Sequence, residues 1–192
     1  MKTQKILLLG VTTKASRNVL TEAMMRGHHV EVGELKSRRV ISSHVKGHDI
    51  VILTYPLNEK PEEHYNSVVS LLNVVKNSSI KHLIILGYPG NNEIKSTVWL
   101  PGNLRVWKEI AEIQEHVLRT LQYEQEVKWS YVHYPEDSSK IEKNDSPFIG
   151  DTLLIKSAEK EQWIYVDECT ESILNLAENI NFQESILEKT DI

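Results

Sequence analysis

Gly10, Thr13 and Ser16 close the aliphatic run "KILLL" and open a helix-like stretch, an arrangement that can hold phosphate. A strand that ends in glycine and turns into a helix presents backbone N–H groups and a partial positive charge to an anion. In the full form of such a turn three glycines recur. The first permits the tight turn, the second lets a pyrophosphate approach the backbone, and the third lets the helix pack closely. Gly10 keeps the first place. Thr13 brings a side chain to the second, along with a hydroxyl able to donate to phosphate, and Ser16 is small enough for the third. Lys14 adds a charge that suits an anion and equally suits solvent. The candidate phosphate-binding set is Gly10, Thr12, Thr13, Lys14, Ala15 and Ser16. Ser, Thr and Gly at a helix start also serve purely as caps and turn residues. Two readings follow: a modified dinucleotide site, or a scaffold without tight cofactor binding.

Further candidates sit where later strand-like runs end. Glu34 stands where an acid bonds the ribose hydroxyls of NAD, whereas Lys36, Arg38 and Arg39 just beyond it suit the 2′-phosphate of NADP. Thr54, Tyr55 and Pro56 end one run and are expected to border the cofactor. Gly87 and Tyr88, with Pro89 and Gly90, end the next and are expected to border the nicotinamide. Ligands of α/β sheets lie outside the carboxyl ends of the strands, so position selects these residues more than identity does. Tyr88, His133 and Tyr134 are the candidates for polarising an acceptor, and each also fits a pocket wall or surface. No tyrosine has a lysine four positions later, and there is no G-x-S-x-G elbow, P-loop or metal motif. If the protein is an enzyme, hydride transfer to an acceptor that needs little acid–base help is the chemistry left, and flavins and quinones meet that description.

The elements that must position these residues read as alternating strands and helices. "KILLLG" (5–10), "HVEVGEL" (29–35), "GHDIVILTYP" (47–56), "HLIILGYPG" (82–90) and "KWSYVHYP" (128–135) are strand candidates. Helical spacing of apolar residues marks 14–26, a segment opened by Pro61, and 105–122. "TLLI" (152–155) and "WIYV" (163–166) are short strand candidates, followed by a helix with Asp167 as N-cap. This alternation predicts an α/β fold, a Rossmann-like doubly wound parallel sheet with helices on both faces. Too few residues separate the second run from the third for a helix, a strand and a further helix. The outer third strand of the usual arrangement is therefore expected to be absent or a stub. The chain reads as a single domain, with 1–135 as nucleotide-binding core and 136–192 as a small C-terminal extension on the substrate side.

Composition narrows the classes. A formal net charge of -5 argues against general nucleic-acid binding, which needs a basic footprint. One cysteine, Cys169, rules out a disulfide framework and a thiolate zinc cluster. The eight histidines lack the spacing of a zinc-protease helix, so no metal is expected. No apolar segment is long enough for a membrane anchor, and a cytoplasmic location is expected.

Taken in order, these segments resemble the atypical short-chain dehydrogenase/reductase group, specifically its small NAD(P)H-binding members. Those include NADH-flavin reductases, biliverdin reductase B-like proteins and nitrogen-metabolite-repression-type regulators. "GVTTKASRNVLTEAMMRGHHV" is similar to a substituted glycine-rich turn and first helix, and "KGHDIVILTYP" to the strand that follows. "IKHLIILGYPG" resembles the group's fifth strand and glycine turn, "VKWSYVHYPED" the strand beside its substrate pocket. "PFIGDTLLI" and "WIYVDECTESILNLAEN" resemble its small C-terminal portion. The resemblance covers most of residues 5–179. It implies a Rossmann sheet and NADP, or NAD, as cofactor, NADP being the commoner choice in the group. It also implies a small-molecule acceptor as partner, or, in regulatory members, cofactor sensing without catalysis. The loose match of Lys108 to a lysine facing the nicotinamide in some relatives does not make it catalytic.

Overall fold

Buried aliphatic runs with a side-chain period of two build the centre of the molecule. The computed structural model describes residues 3–34, 38–54, 61–87, 104–133, 153–157, 160–166 and 169–178. Strands β1 (Lys5–Leu9), β2 (His29–Gly33), β3 (Ile50–Thr54), β4 (His82–Gly87) and β5 (Trp129–His133) form a parallel sheet in the order β2-β1-β3-β4-β5. Strands β6 (Leu153–Ser157) and β7 (Lys160–Val166) extend it antiparallel beyond β5. The expected parallel core is thus present, and the C-terminal segment contributes to the same sheet.

Alternate residues of each strand serve opposite layers. Ile6, Leu8, Ile50, Ile52, Ile84, Leu86 and Val132 pack under α1 (Lys14–Met25) and α5 (Cys169–Glu178). Leu7, Leu9, Val51, Leu53, Leu83, Ile85, Trp129 and Tyr131 face α2 (Arg38–Val45), α3 (Pro61–Val75) and α4 (Leu104–Gln122). Strands covered on both faces need continuous rather than alternating hydrophobicity, which is what their sequences show. Asp167, the expected cap of α5, lies outside the described residues.

The interval between β2 and β3 holds α2, and among the described residues no strand lies beyond β2. The deletion expected from the short interval is therefore seen. Val32, half exposed at 49%, marks the resulting sheet edge.

Two polar clusters tie the layers together. Arg26, at the C-cap of α1, donates from Nη1 to Asn175 Oδ1 at 2.7 Å and pairs with Glu22 and Glu178. His28 Nε2 also reaches Glu178 Oε1 at 2.9 Å, so the end of α1 and α5 are joined by the Arg26–Glu178 ion pair and by hydrogen bonds as well as by apolar contact. His82 is buried at the start of β4 with Nε2 2.8 Å from Ser130 Oγ. Burial pushes its imidazole down to about 4, the Lys128 charge adds to that, and backbone contact at Leu176 opposes it.

Candidate functional site

The chain leaves β1, runs to β2 on one side, and returns to β3 on the other, so the strand order reverses between β1 and β3. A crevice at the carboxyl ends of those two strands is the ligand position that this topology provides. Gly10 stands there. Its φ of +80° lies in the left-handed region that glycine enters without penalty. A Cβ at Gly10 would meet the Thr54 carbonyl oxygen at 2.6 Å. Two demands, conformation and space, therefore fix glycine at this position.

Four hydrogen bonds hold the turn. Gly10 N donates to Gly33 O at 3.3 Å, and Thr12 N donates to Gly10 O at 2.8 Å. Thr54 Oγ1 donates to Leu9 O at 3.1 Å and shares its proton with Gly10 O. Thr54 was expected to border a cofactor. It lies at the expected strand end but is buried, and its hydroxyl acts as a clasp between β3 and the turn.

Thr13 and Ser16, the departures from the glycine pattern, form one closed unit. Thr13 is the N-cap of α1, and Ser16 completes a capping box. Ser16 N donates to Thr13 Oγ1 at 3.1 Å, and Thr13 N donates to Ser16 Oγ at 3.0 Å. Ser16 Oγ also donates to Thr13 O at 2.9 Å, and Thr13 Oγ1 to Ser16 Oγ at 3.2 Å. Both hydroxyl protons are thus spent inside the box, and both residues are buried. The threonine hydroxyl, read from sequence as a phosphate donor, is here a helix cap. Residues 14 and 15 are the first two of α1, whose N–H groups have no partner within a helix and point out of its N-terminus. No acidic residue lies in that first turn, which leaves its positive end uncompensated from within.

Arg17 is a residue that the motif reading passed over. It is exposed, one position after Ser16, and its Nη1 donates to Thr12 O at 3.2 Å, which brings the guanidinium to the turn. A basic residue in the first turn of α1 was its only sequence signal. Glu34 follows β2, exposed, and Gly33 before it joins the turn through its carbonyl. The structure therefore brings Gly10, Thr12, Thr13, Ser16, Glu34 and Thr54 around one strand-end region.

Gly87 ends β4, the next strand of the same edge. A Cβ there would fall 2.2 Å from Tyr131 Oη and 2.5 Å from Gln114 Oε1. Tyr131 Oη donates to Gln114 Oε1 at 2.7 Å, so this hydrogen-bonded pair fills the volume a side chain would need. Gln114 was not legible as a site residue because it is one polar position on an amphipathic helix. Tyr55, Pro56, Tyr88, Tyr134 and Lys36 lie outside the described residues, as do the side chains of Lys14, Ala15, Arg38 and His133. Among the described residues no group of three or more His, Cys, Asp or Glu is placed to hold a metal ion. None of their helices is long and apolar enough to cross a membrane.

No protein-family model matches the chain, and no curated protein matches its sequence. Solved structures do match. A GDP-mannoheptose C4 reductase from Campylobacter jejuni with NADP bound is 14% identical, with a TM-score of 0.54 over 68% of this chain and 51% of its own. A nucleoside-diphosphate-sugar epimerase from Staphylococcus aureus is 15% identical, with a TM-score of 0.51 over 67% of this chain and 49% of its own. An epimerase candidate from Bacteroides thetaiotaomicron is 21% identical, with a TM-score of 0.52 over 67% of this chain and 69% of its own. The chain spans about half the length of the first two. At these identities what is shared is the fold, a Rossmann-like α/β sheet of the kind the resemblance to atypical short-chain dehydrogenases implies.

Proposed function

We propose that this protein is an NAD(P)H-binding oxidoreductase that passes hydride to a small acceptor such as a flavin or quinone. The observation that carries the reading is the Gly10 turn. It combines a positive φ, a backbone with no room for Cβ, and a helix N-terminus, all at the switch point between β1 and β3. Proteins of similar fold support it, since a reductase with NADP bound and an epimerase are among them.

The residues fit a dinucleotide in a particular way. Gly10 makes the tight turn, the N–H groups of residues 14 and 15 would face the phosphates, and Arg17 supplies charge from the side. Glu34 suits ribose hydroxyls, while Lys36 and Arg38 suit a 2′-phosphate, and NADP is the cofactor we propose. Bound NADPH would supply the hydride itself. What the chain supplies is orientation and exclusion of water, which is enough for an acceptor whose protonation can come from solvent. Tyr88, His133 and Tyr134 are proposed to line the acceptor side.

The closed Thr13–Ser16 box favours a second reading, a protein that senses a nucleotide or binds a partner without turnover. With both hydroxyls and the Ser16 N–H already engaged, fewer donors are left for phosphate than in a three-glycine turn. Steady-state oxidation of NADPH with flavin mononucleotide or a soluble quinone separates the two. Turnover supports the reductase, and binding without turnover supports the sensor.

A further inference from the structure

We propose that Gln114 determines recognition at the nicotinamide end of the crevice, by donating from Nε2 to the carboxamide oxygen of the cofactor. The proposal rests on the dinucleotide reading and adds to it a residue that no motif marks.

Gln114 lies on α4, fully buried, and its Oε1 is committed to Tyr131 Oη at 2.7 Å. Its Nε2 is buried with no hydrogen-bond partner. A buried amide donor left without an acceptor costs about 1–3 kcal/mol, and Gln114 Nε2 is one of several such atoms among the described residues. Place decides between an imperfection and a site. Gly87 is the last residue of β4, on the carboxyl edge where ligands of such sheets bind. Its missing side chain is replaced by the Tyr131–Gln114 pair, whose polar atoms lie within 2.5 Å of where a Cβ would stand. The pair therefore brings a fixed amide to the strand end next to β3, on the side of the switch point away from β2. With adenosine over β2 and phosphates at Gly10, the second half of a dinucleotide extends toward β3 and β4. A primary amide presents a donor to a carbonyl oxygen, and the nicotinamide carboxamide offers one.

Tyr131 holds the amide from its other end. Its hydroxyl donates to Oε1, which leaves Nε2 as the atom of Gln114 without a partner. A residue needed only for packing has no use for that donor. Removing it would then leave ligand binding unchanged and raise stability, because an unpaired buried polar group would be gone.

The test compares two probes on the wild-type protein, Gln114→Met and Gln114→Glu. Met keeps length and volume without the amide, and Glu, measured at a pH where it is ionised, keeps an oxygen for Tyr131 without the donor. The probes are NADP⁺ and adenosine 2′,5′-bisphosphate, which lacks the nicotinamide half, both followed by calorimetry. Expected is a loss of about tenfold or more in NADP⁺ affinity in both variants, with the bisphosphate within about twofold of wild type. If Gln114→Met fails to fold, Gln114→Glu decides alone. Unchanged NADP⁺ affinity in a folded variant overturns the proposal and leaves the dinucleotide reading standing. Equal loss for both probes also overturns it, because the effect would then be structural. A wild-type protein that binds neither probe overturns both the proposal and the reading beneath it.

Discussion

Mild acid should weaken this protein through one buried imidazole. His82 is 2% exposed, and its pKa is lowered from 6.5 to about 4. In the unfolded chain the same group takes up a proton near its ordinary value. Between those two pKa values the unfolded state holds a proton that the folded state refuses. Stability therefore falls as pH falls through that window. At about 1.4 kcal/mol per pKa unit the full effect is roughly 3 kcal/mol. It is absent above about pH 7 and complete near pH 4, with a slope approaching 1.4 kcal/mol per pH unit between. Asp49, held below its ordinary value by its hydrogen bond to Lys81, loses its contribution only at lower pH. Urea unfolding followed by tryptophan fluorescence near pH 7, 6 and 5 reads the slope. His82→Gln, which cannot titrate and retains an amide for Ser130, provides the reference. The wild-type slope should exceed that of His82→Gln by about 1 kcal/mol per pH unit across this range. Equal slopes would show that the imidazole is protonated in the folded protein and that its burial has been misjudged.

Gly10→Ala should destabilise the fold by more than about 2 kcal/mol, because strain at positive φ adds to a backbone clash with Thr54 O. The same variant should lose nucleotide binding, and a melting temperature within a degree of wild type would contradict the structure. Thr13→Gly removes the cap and should cost from a few tenths to about 1 kcal/mol by urea titration, yet leave nucleotide affinity equal or better because the backbone becomes more open. A tenfold loss of affinity, about 1.4 kcal/mol, would instead make the threonine a ligand. Gly87→Ala should lower stability by about 1–3 kcal/mol, since Tyr131 must leave Gln114 to admit the methyl group.

The sheet was legible because its strands are buried on both faces. Runs such as Ile6–Leu9 and Ile50–Leu53 carry almost nothing but aliphatic side chains, and no other element requires that. The missing outer strand could be read from chain length alone, since α2 fills the interval. The site was legible in position and not in contacts. Gly10 announced its turn, but Thr13 and Ser16 have the same identity whether they face a phosphate or each other. Only the folded structure shows both hydroxyls engaged within a capping box. Gln114 left no trace in the sequence, because its meaning comes from Gly87 and Tyr131, brought to it by strands β4 and β5.

Thermal unfolding in the presence of NADPH, NADP⁺, NAD⁺ and NADH tests the cofactor site most directly. A ligand that binds only the folded state stabilises it by about 2.7 kcal/mol at a hundredfold excess over Kd. For a domain of this size that raises the melting temperature by several degrees. The Gly10 turn and the basic residues beyond β2 predict such a rise with NADPH or NADP⁺ at millimolar concentration, and a smaller one with NAD⁺. No shift with any of the four would mean that the Thr13–Ser16 box has closed the phosphate site, and the oxidoreductase reading would fall with it.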